Sequence, residues 1–334
     1  MKKVSAYARL LRVPGIGALG IVPVIGALTV GMYDVPTLII VFIIGAFASI
    51  FGFLVNDLVD IELDRHVDEL QKKPLVSGDV SKNAALIIAF FLAFAAFFFI
   101  SVLWYGTTIN YNKFIGFICI ILAGILGTTY DVYGKKIVGS DFLVAISVSL
   151  IFLFGALSFG QPTIITWIVF LLTFENLLYM NAIQNGIKDA DHDYKIGVRN
   201  IALTSGVKVQ DSTLFIPHSF QAFGLGLRLF SAVLFFTPFL LFGTPYALWQ
   251  IILLLLLVIV HLSLDVKFLG LKTFNRSQIR KIIGVQSFLR YSLVPIMLLA
   301  VIGGIPTLLL IIIPILWYIV FTPVVGEKLF KPRM

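Results

Sequence analysis

Residues 56–64 read NDLVDIELD, and residues 185–193 read NGIKDADHD. In both stretches polar residues occupy the first, fifth and ninth positions, and each stretch ends a long apolar segment. The two copies start 129 positions apart, and a Ser-Gly pair follows each of them, as Ser77-Gly78 and Ser205-Gly206. Agreement at that many positions indicates an internal repeat, so we expect a fold built from two related halves.

The composition places the chain in a membrane. Hydrophobic residues make up 59% of it and charged residues only 13%, and the mean hydropathy is +1.03, values far from those of soluble proteins. The sequence predicts an all-α, polytopic transmembrane bundle of nine core helices and a candidate tenth, because a spanning helix needs about 20 apolar residues. Apolar runs near that length lie at residues 15–32, 36–58, 83–104, 112–130, 140–158, 162–184, 220–242, 246–263, 286–303 and 305–322.

The order of the spans predicts the topology. Four spans separate the two signatures, so both end on the same membrane face and the repeat is parallel. We expect a single domain over residues 1–334, with halves at about 1–135 and 136–270 around a central cavity and C-terminal helices at 286–322.

The basic residues predict the orientation. They concentrate in the loops on the signature face, and the positive-inside rule makes that face cytoplasmic. The prediction is a multi-pass protein of the cell membrane, with its N-terminus and active-site loops in the cytoplasm. The net charge of +8 then reflects topology, with attraction to anionic membrane lipid as a second interpretation. Nucleic-acid binding is not expected.

The signatures are suited to a metal site. On a helix, positions four apart rotate by only ~40° and rise by ~6 Å, so their side chains form one stripe. Oxygen ligands suit Mg²⁺, which keeps waters and substrate phosphates in its shell. A solvated acidic helix end would explain one copy, but not two copies in register. The predicted ligands of Mg²⁺ bridging a diphosphate are Asn56, Asp60, Asp64, Asn185, Asp189 and Asp193.

Two acids fall off these stripes. Asp57 points ~100° away from the first stripe, and Asp191 lies off the second stripe by a similar argument. Both are therefore weaker ligand candidates, although Asp191 could serve as a base.

With these motifs the chain resembles the UbiA superfamily of intramembrane prenyltransferases. Residues 56–65 resemble its NDxxDxxxD motif, residues 73–78 (KPLVSG) its RPxxSG stretch, and residues 189–199 its DxxxDxxxGxR run. Tyr130 and Lys135 match a Tyr and Lys five residues apart, and residues 12–14 resemble the Arg-x-Pro opening of helix one. Gly186 departs from the family, since many members carry aspartate there.

The resemblance implies a reaction. An isoprenyl group would pass from an allylic diphosphate, with geranylgeranyl diphosphate as the favoured donor, to a hydrophobic or aromatic acceptor that is a lipid or quinone precursor. It implies Mg²⁺ as cofactor, catalytic roles for Lys135 and Tyr130, and diphosphate binding by Arg65, Lys73, Lys188 and Arg199, while Asp191 is counted as catalytic because it could serve as the base. The default interpretation of such lysines is a snorkelling membrane anchor.

Glu175 is an acid deep in a predicted span, ten residues before Asn185. Intramembrane carboxylates are costly, so they are usually functional or paired. On a continuous α-helix Glu175 lies within ~40° of the Asp189 direction, which predicts contact with the acceptor. A hydrogen bond to a neighbouring helix is the alternative. Arg228 and Arg290, in late spans, are interpreted as membrane anchors.

A cation transporter is the alternative function, since parallel repeats with acidic residues also occur in ion carriers. Transport sites lie near the bilayer midplane, whereas these carboxylates lie at helix ends and continue into charged loops. A transporter also has no clear use for Tyr130 and Lys135. These differences favour the prenyltransferase.

Overall fold

The fold is a bundle of apolar helices. The computed structural model describes residues 2–67 and 70–326. Within them, eight helices are long and apolar enough to cross a membrane, and the bent pair Val4–Leu10 with Val13–Thr29 brings the number to nine. The shorter apolar helix Asp141–Leu157 corresponds to the remaining predicted span. The polytopic helical prediction is confirmed, while the number of crossings and the internal repeat stay predictions.

The element bounds are as follows. The helices are α1 (Lys2–Leu10), α2 (Ile16–Thr29), α3 (Val35–Val59), α4 (Ile61–Asp64), α5 (Lys82–Leu103), α6 (Tyr111–Tyr133), α7 (Asp141–Leu157), α8 (Ile164–Leu178), α9 (Gly186–Lys188), α10 (Ala190–Lys195), α11 (Ile201–Thr204), α12 (His218–Phe242), α13 (Leu248–Leu269), α14 (Arg276–Ile302) and α15 (Gly304–Phe321). Short 3₁₀ helices cover Val13–Gly15, Leu70–Lys72 and Pro323–Val325. A π-helical segment, Tyr179–Asn185, joins α8 to α9. Strands β1 (Lys208–Gln210) and β2 (Thr213–Phe215) pair antiparallel in the loop before α12.

Polar side chains set the start of several membrane helices. Asp34, Ser81, Asn110 and Thr163 each accept a hydrogen bond from the backbone amide three residues later. Such caps satisfy amides that the first helical turn leaves without a partner. They explain why α3, α5, α6 and α8 begin where the apolar runs begin.

The bundle core joins both predicted halves. The largest cluster of buried apolar residues links α2, α3 and α7 with α8 and with α12 to α15. The last helix is part of this packing, because Trp317 Nε1 donates a hydrogen bond to the Val13 carbonyl oxygen at 2.8 Å. The end of α15 therefore lies beside the bend that precedes α2.

Helices α2 and α7 cross backbone to backbone. A Cβ atom at Gly26 would collide with the Phe152 carbonyl oxygen, and one at Gly155 would collide with the Pro23 carbonyl oxygen. Small residues allow such close approach of membrane helices. The crossing holds α7, which follows the Lys135 loop, against the first half of the chain.

Gly155→Ala should destabilise the protein. The added methyl group meets backbone atoms that cannot rotate away, so we expect a loss of about 2 kcal/mol of stability. Gly124→Ala is the matched control, because it lies in α6 with open space around the position. Thermal unfolding in detergent should show a lower midpoint for Gly155→Ala alone. Equal midpoints for the two variants would contradict the close crossing.

Candidate functional site

Both signatures line one cavity. Its volume is about 420 Å³, and it lies where α3 and α9 end. Its walls also include the end of α6, the start of α14 and residues after α15. Ten of the fourteen predicted site residues line it, namely Asn56, Asp60, Asp64, Lys73, Tyr130, Lys135, Asn185, Lys188, Asp189 and Asp193.

The first signature keeps its helical register across a break. Helix α3 ends at Val59, and Asp60 is its C-cap. The Asp60 amide still donates to the Asn56 carbonyl oxygen at 3.0 Å, and the Asp64 amide donates to the Asp60 carbonyl oxygen at 2.8 Å. The polar residues four apart therefore stay on the cavity side, and both aspartates are buried.

Lys73 holds two carboxylates of the first signature. Its Nζ atom lies 3.0 Å from Asp57 Oδ1 and 2.7 Å from Asp64 Oδ2. Burial by itself lowers the pKa of Lys73, but the Asp57 and Asp64 charges outweigh it and raise the pKa above its usual value. Lys73 is thus a cation that stays charged at neutral pH inside the cavity.

Lys135 contacts the first signature through its side chain and the segment after the second signature through its backbone. Its Nζ atom lies 2.8 Å from Asp60 Oδ1, and its carbonyl oxygen accepts a hydrogen bond from the Arg199 amide at 2.9 Å. Burial raises the pKa of Asp60, and the Lys135 charge opposes this rise. The loop after α6 therefore carries one cation to the place where the two signatures meet.

The second signature repeats these contacts. The Asp189 amide donates to the Asn185 carbonyl oxygen, and the Asp193 amide donates to the Asp189 carbonyl oxygen, both at 2.9 Å. Lys188 Nζ lies 2.9 Å from Asn185 Oδ1 and 3.3 Å from Asp189 Oδ2. Burial and then the Asp189 charge raise the pKa of Asp193 to about 7, and Asn200 Nδ2 donates to its carboxylate at 2.9 Å.

The donor set is suited to Mg²⁺. Carboxylate and amide oxygens are the ligands that this ion takes, and both signatures offer them toward the cavity. Among the residues that the structure describes, no three acidic, histidine or cysteine side chains converge closely enough to hold a metal ion. The carboxylates are instead paired with Lys73, Lys135 and Lys188.

Three predicted residues lie outside the cavity lining. Asp191 hydrogen-bonds Arg276, a cavity residue, and does not itself line the cavity. Arg65 pairs with Glu62 at 2.9 Å on the protein surface. Arg199 is exposed, and its backbone amide makes the contact with the Lys135 loop. In this structure the three side chains lie outside the cavity lining, and their predicted roles at the substrate stay predictions.

Glu175 does not reach the cavity either, because the helix is not a continuous α-helix. The π-helical segment Tyr179–Asn185 adds about one residue to the turn, which rotates Glu175 by about 100° relative to Asp189. Glu175 accepts hydrogen bonds from Arg228 Nη1 at 3.2 and 3.3 Å. Arg228 is only 2% exposed, so its interpretation as a membrane anchor is wrong.

Arg12 and Asp57 form a cavity contact that the helical-wheel argument missed. Arg12 Nη2 lies 3.2 Å from Asp57 Oδ1, and its guanidinium carbon lies 4.3 Å from the centre of the Phe53 ring. The Arg12 backbone has φ 47°, a left-handed conformation that is uncommon for a non-glycine residue. Two features of the sequence could have indicated this contact, namely the Arg-x-Pro resemblance and the Asn-Asp pair at the start of the signature.

Further polar residues of the cavity wall carried weaker signals. Asp131 directly follows Tyr130 at the end of α6, and His192 lies between two signature acids, so neighbourhood in sequence could have identified both. The other polar lining residues belong to none of the recognised motifs. The additional polar lining residues are Arg9, Lys72, Asp131, Ser140, Asp141, Asn181, His192, Asn200, Arg276 and Arg280.

Residues 19–289 match the sequence profile of the UbiA prenyltransferase family. The 4-hydroxybenzoate octaprenyltransferase of Shewanella frigidimarina is 28% identical over 211 residues, which are 61% of this chain and 70% of that protein. The same enzyme of Providencia stuartii is 30% identical over 62% of this chain and 70% of its own length.

Solved structures share the fold. One from work on digeranylgeranylglyceryl phosphate synthase has a TM-score of 0.62 and 21% identity, covering 90% of this chain and 99% of that chain. A UbiA homolog from Archaeoglobus fulgidus bound to GPP and Mg²⁺ has a TM-score of 0.57 and 18% identity, covering 96% and 99%. These comparisons give the cation transporter no support.

Proposed function

This chain belongs to the UbiA prenyltransferase family, and we propose that its two signatures together bind the diphosphate of one isoprenyl donor with Mg²⁺. The protein is a membrane prenyltransferase, which transfers an isoprenyl group from an isoprenyl diphosphate to an acceptor and releases diphosphate. The observation that carries the proposal is that oxygen ligands of both signatures line a single cavity together with Lys73, Lys135 and Lys188.

In the proposed reaction, the bond between the allylic carbon and the diphosphate oxygen breaks, and its electron pair leaves with the diphosphate. The acceptor then donates an electron pair to the allylic carbon and loses a proton. Bound Mg²⁺ would supply positive charge that stabilises the departing diphosphate. Fixed cations of the chain add to this effect, since charge that develops in the transition state is stabilised by groups already in place.

Three lysines are suited to that role. Lys73, Lys135 and Lys188 each contact a signature carboxylate or amide, so they lie beside the atoms proposed to bind the ion. We propose that they transfer their hydrogen bonds to phosphate oxygens when donor and Mg²⁺ bind. The carboxylate oxygens that had accepted hydrogen bonds from these lysines would then be free to hold the ion. Tyr130, at the same wall, is proposed to orient the diphosphate.

The donor tail and the acceptor are proposed from chemistry. The helices that end at the site expose apolar side chains, such as Val59 of α3 and Ile125 of α6, which suits the tail of a long donor such as geranylgeranyl diphosphate. The acceptor is proposed to be a quinone precursor or a prenylated glycerol lipid with an anionic group. Arg9, Arg12 and Arg280 line the cavity and are suited to hold such a group. Since basic loops mark this face, we place it in the cytoplasm at the cell membrane.

A transfer assay tests the proposal. Purified protein, radiolabelled geranylgeranyl diphosphate and Mg²⁺ are incubated with 4-hydroxybenzoate, dihydroxynaphthoate or geranylgeranylglyceryl phosphate. We expect a labelled product with one of these acceptors. Lack of any product, together with lack of donor binding, would contradict the proposed site.

Metal removal should stop transfer. EDTA is expected to abolish product formation, because the diphosphate would leave without the charge that the ion supplies. Excess Mg²⁺ should restore the rate of the same sample, which controls for denaturation. Full activity in EDTA would contradict a Mg²⁺-dependent site.

A further inference from the structure

A buried polar cluster lies in the second half of the bundle, outside the cavity. Five of its six members are almost inaccessible, with exposed fractions of 2% for Arg228 and 0% for Asp265, and Arg290 is half-buried. Ionisable groups inside a membrane protein are costly, so they are retained where they bind, position or pair with something. The cluster comprises Glu175, Gln184, Arg228, Asp265, Gln286 and Arg290, none of which lines the cavity.

The contacts of the cluster form a path that leaves one helix and returns to it. Arg228 Nη1 of α12 donates to the Glu175 carboxylate of α8 at 3.2 Å. Arg228 Nε lies 3.4 Å from Asp265 Oδ2 of α13, and Gln286 Nε2 of α14 donates to Asp265 Oδ1 at 2.7 Å. Gln184 Nε2 closes the path by donating to Gln286 Oε1 at 2.7 Å. Glu175 and Gln184 belong to the same membrane-spanning segment, Ile164–Lys188.

The path begins at Glu175, before the π-helical turn, and ends at Gln184, near the end of that turn. Positions nine apart on an α-helix point in opposite directions, about 180° from each other, so Glu175 and Gln184 could not both face one partner cluster. The extra residue of a π-turn reduces that angle to about 80°. Arg228 also stacks on the turn, with its guanidinium carbon 3.5 Å from the centre of the Tyr179 ring. The cluster thus includes Glu175, four residues before the turn, and Gln184, the last residue of the turn but one, and it contacts Tyr179, the first residue of the turn.

The opposite face of the same turn lies in the cavity. Asn181 and Asn185 line it, and Asn185 Nδ2 donates to Asn181 Oδ1 at 3.4 Å. Lys188 then contacts Asn185, and the second signature continues to Asp189. A change in the rotation of this turn would therefore move the ligands of the second signature together.

We propose that the Glu175–Arg228–Asp265–Gln286–Gln184 path is a positioning device, which holds the Tyr179–Asn185 turn in its π form and so sets the direction of the second signature. The proposal rests on the proposed function, because the signature is taken as a ligand of Mg²⁺ and diphosphate. The members of the path act through Asn185 and Asp189 and do not touch the substrate.

Gln286→Leu tests the device, since it replaces the amide that links Gln184 to Asp265 with an apolar side chain of similar size. Gln250→Leu is the matched control. Gln250 is also a buried glutamine of the second half, 1% exposed, and it donates to the Ile296 carbonyl oxygen at 2.7 Å without contact with the path. Thermal unfolding, Mg²⁺-dependent binding of donor by calorimetry, and amide hydrogen exchange over residues 176–189 are measured for both variants and the wild type.

We expect Gln286→Leu to weaken donor binding about tenfold, the scale seen when partners behind a ligand are removed, and to speed exchange of the Tyr179–Asn185 amides. Gln250→Leu should lower the unfolding midpoint by a similar amount with wild-type binding and exchange. Wild-type binding or unchanged exchange in Gln286→Leu would overturn the inference. If the wild type bound no donor, the proposed function would fail, and hydrogen exchange would still decide whether the path holds the turn.

Discussion

Asp60→Asn and Asp189→Asn should each lower kcat/KM by about 10²–10³-fold or more, the loss observed when one preorganised charge-stabilising group is removed. Each aspartate lies at the central position of its signature and contacts a cavity lysine. Asparagine keeps the shape of the side chain but removes the negative charge that attracts Mg²⁺. Steady-state transfer rates at saturating and limiting donor would measure the effect.

Glu62→Gln is the matched control for Asp60→Asn. Glu62 lies two residues away in α4, and its exposed side chain pairs with Arg65. We expect wild-type kcat/KM for this variant and an unchanged unfolding midpoint for all three. Near wild-type turnover in both aspartate variants would remove the basis for the metal proposal.

Lys135→Met should lower kcat/KM by about 10²-fold, because the variant loses a cation aimed at the place where charge develops on the diphosphate. Lys135 contacts Asp60 through its side chain, and its carbonyl oxygen accepts a hydrogen bond from the Arg199 amide, six residues after the second signature. Methionine preserves the length of the side chain and its apolar stem. The loss should appear in kcat as well as in KM, since the charge on the leaving group is largest in the transition state.

Lys136→Met provides the control from the next position. Lys136 is exposed and does not line the cavity, so we interpret it as a snorkelling membrane anchor and expect wild-type kinetics. Equal losses in the two variants would indicate a general effect of charge at the membrane surface. An unchanged Lys135→Met variant would return Lys135 to the same anchor class.

The sequence was most informative where short-range geometry decides. A spacing of four keeps Asn56, Asp60 and Asp64 on one side of a helix even where α3 gives way to α4, because the backbone hydrogen bonds continue across the break. The equal spacing in the second copy brought Asp189 and Asp193 to the same cavity. The apolar runs predicted the membrane helices for the same reason, since the bilayer thickness fixes their length.

Predictions that required a long regular helix failed. The direction of Glu175 relative to Asp189 depends on every turn between them, and a single π-helical segment changes it. Arg228 looks like an anchor in sequence, because only tertiary packing brings it to Glu175 and Asp265. Asp57 illustrates the converse, since a cavity as wide as this one is lined by residues from more than one helical stripe.

If the two signatures form one diphosphate site, each chain binds one donor, and the stoichiometry of binding tests this expectation. A non-reacting thiolo analogue of geranylgeranyl diphosphate is titrated with Mg²⁺ into the wild type, Asp60→Asn, Asp189→Asn and the double variant. We predict one analogue per chain for the wild type. Each single variant should lose binding, and the double variant should show no greater loss than either single variant. Two analogues per chain, reduced to one by either substitution, would contradict the shared site.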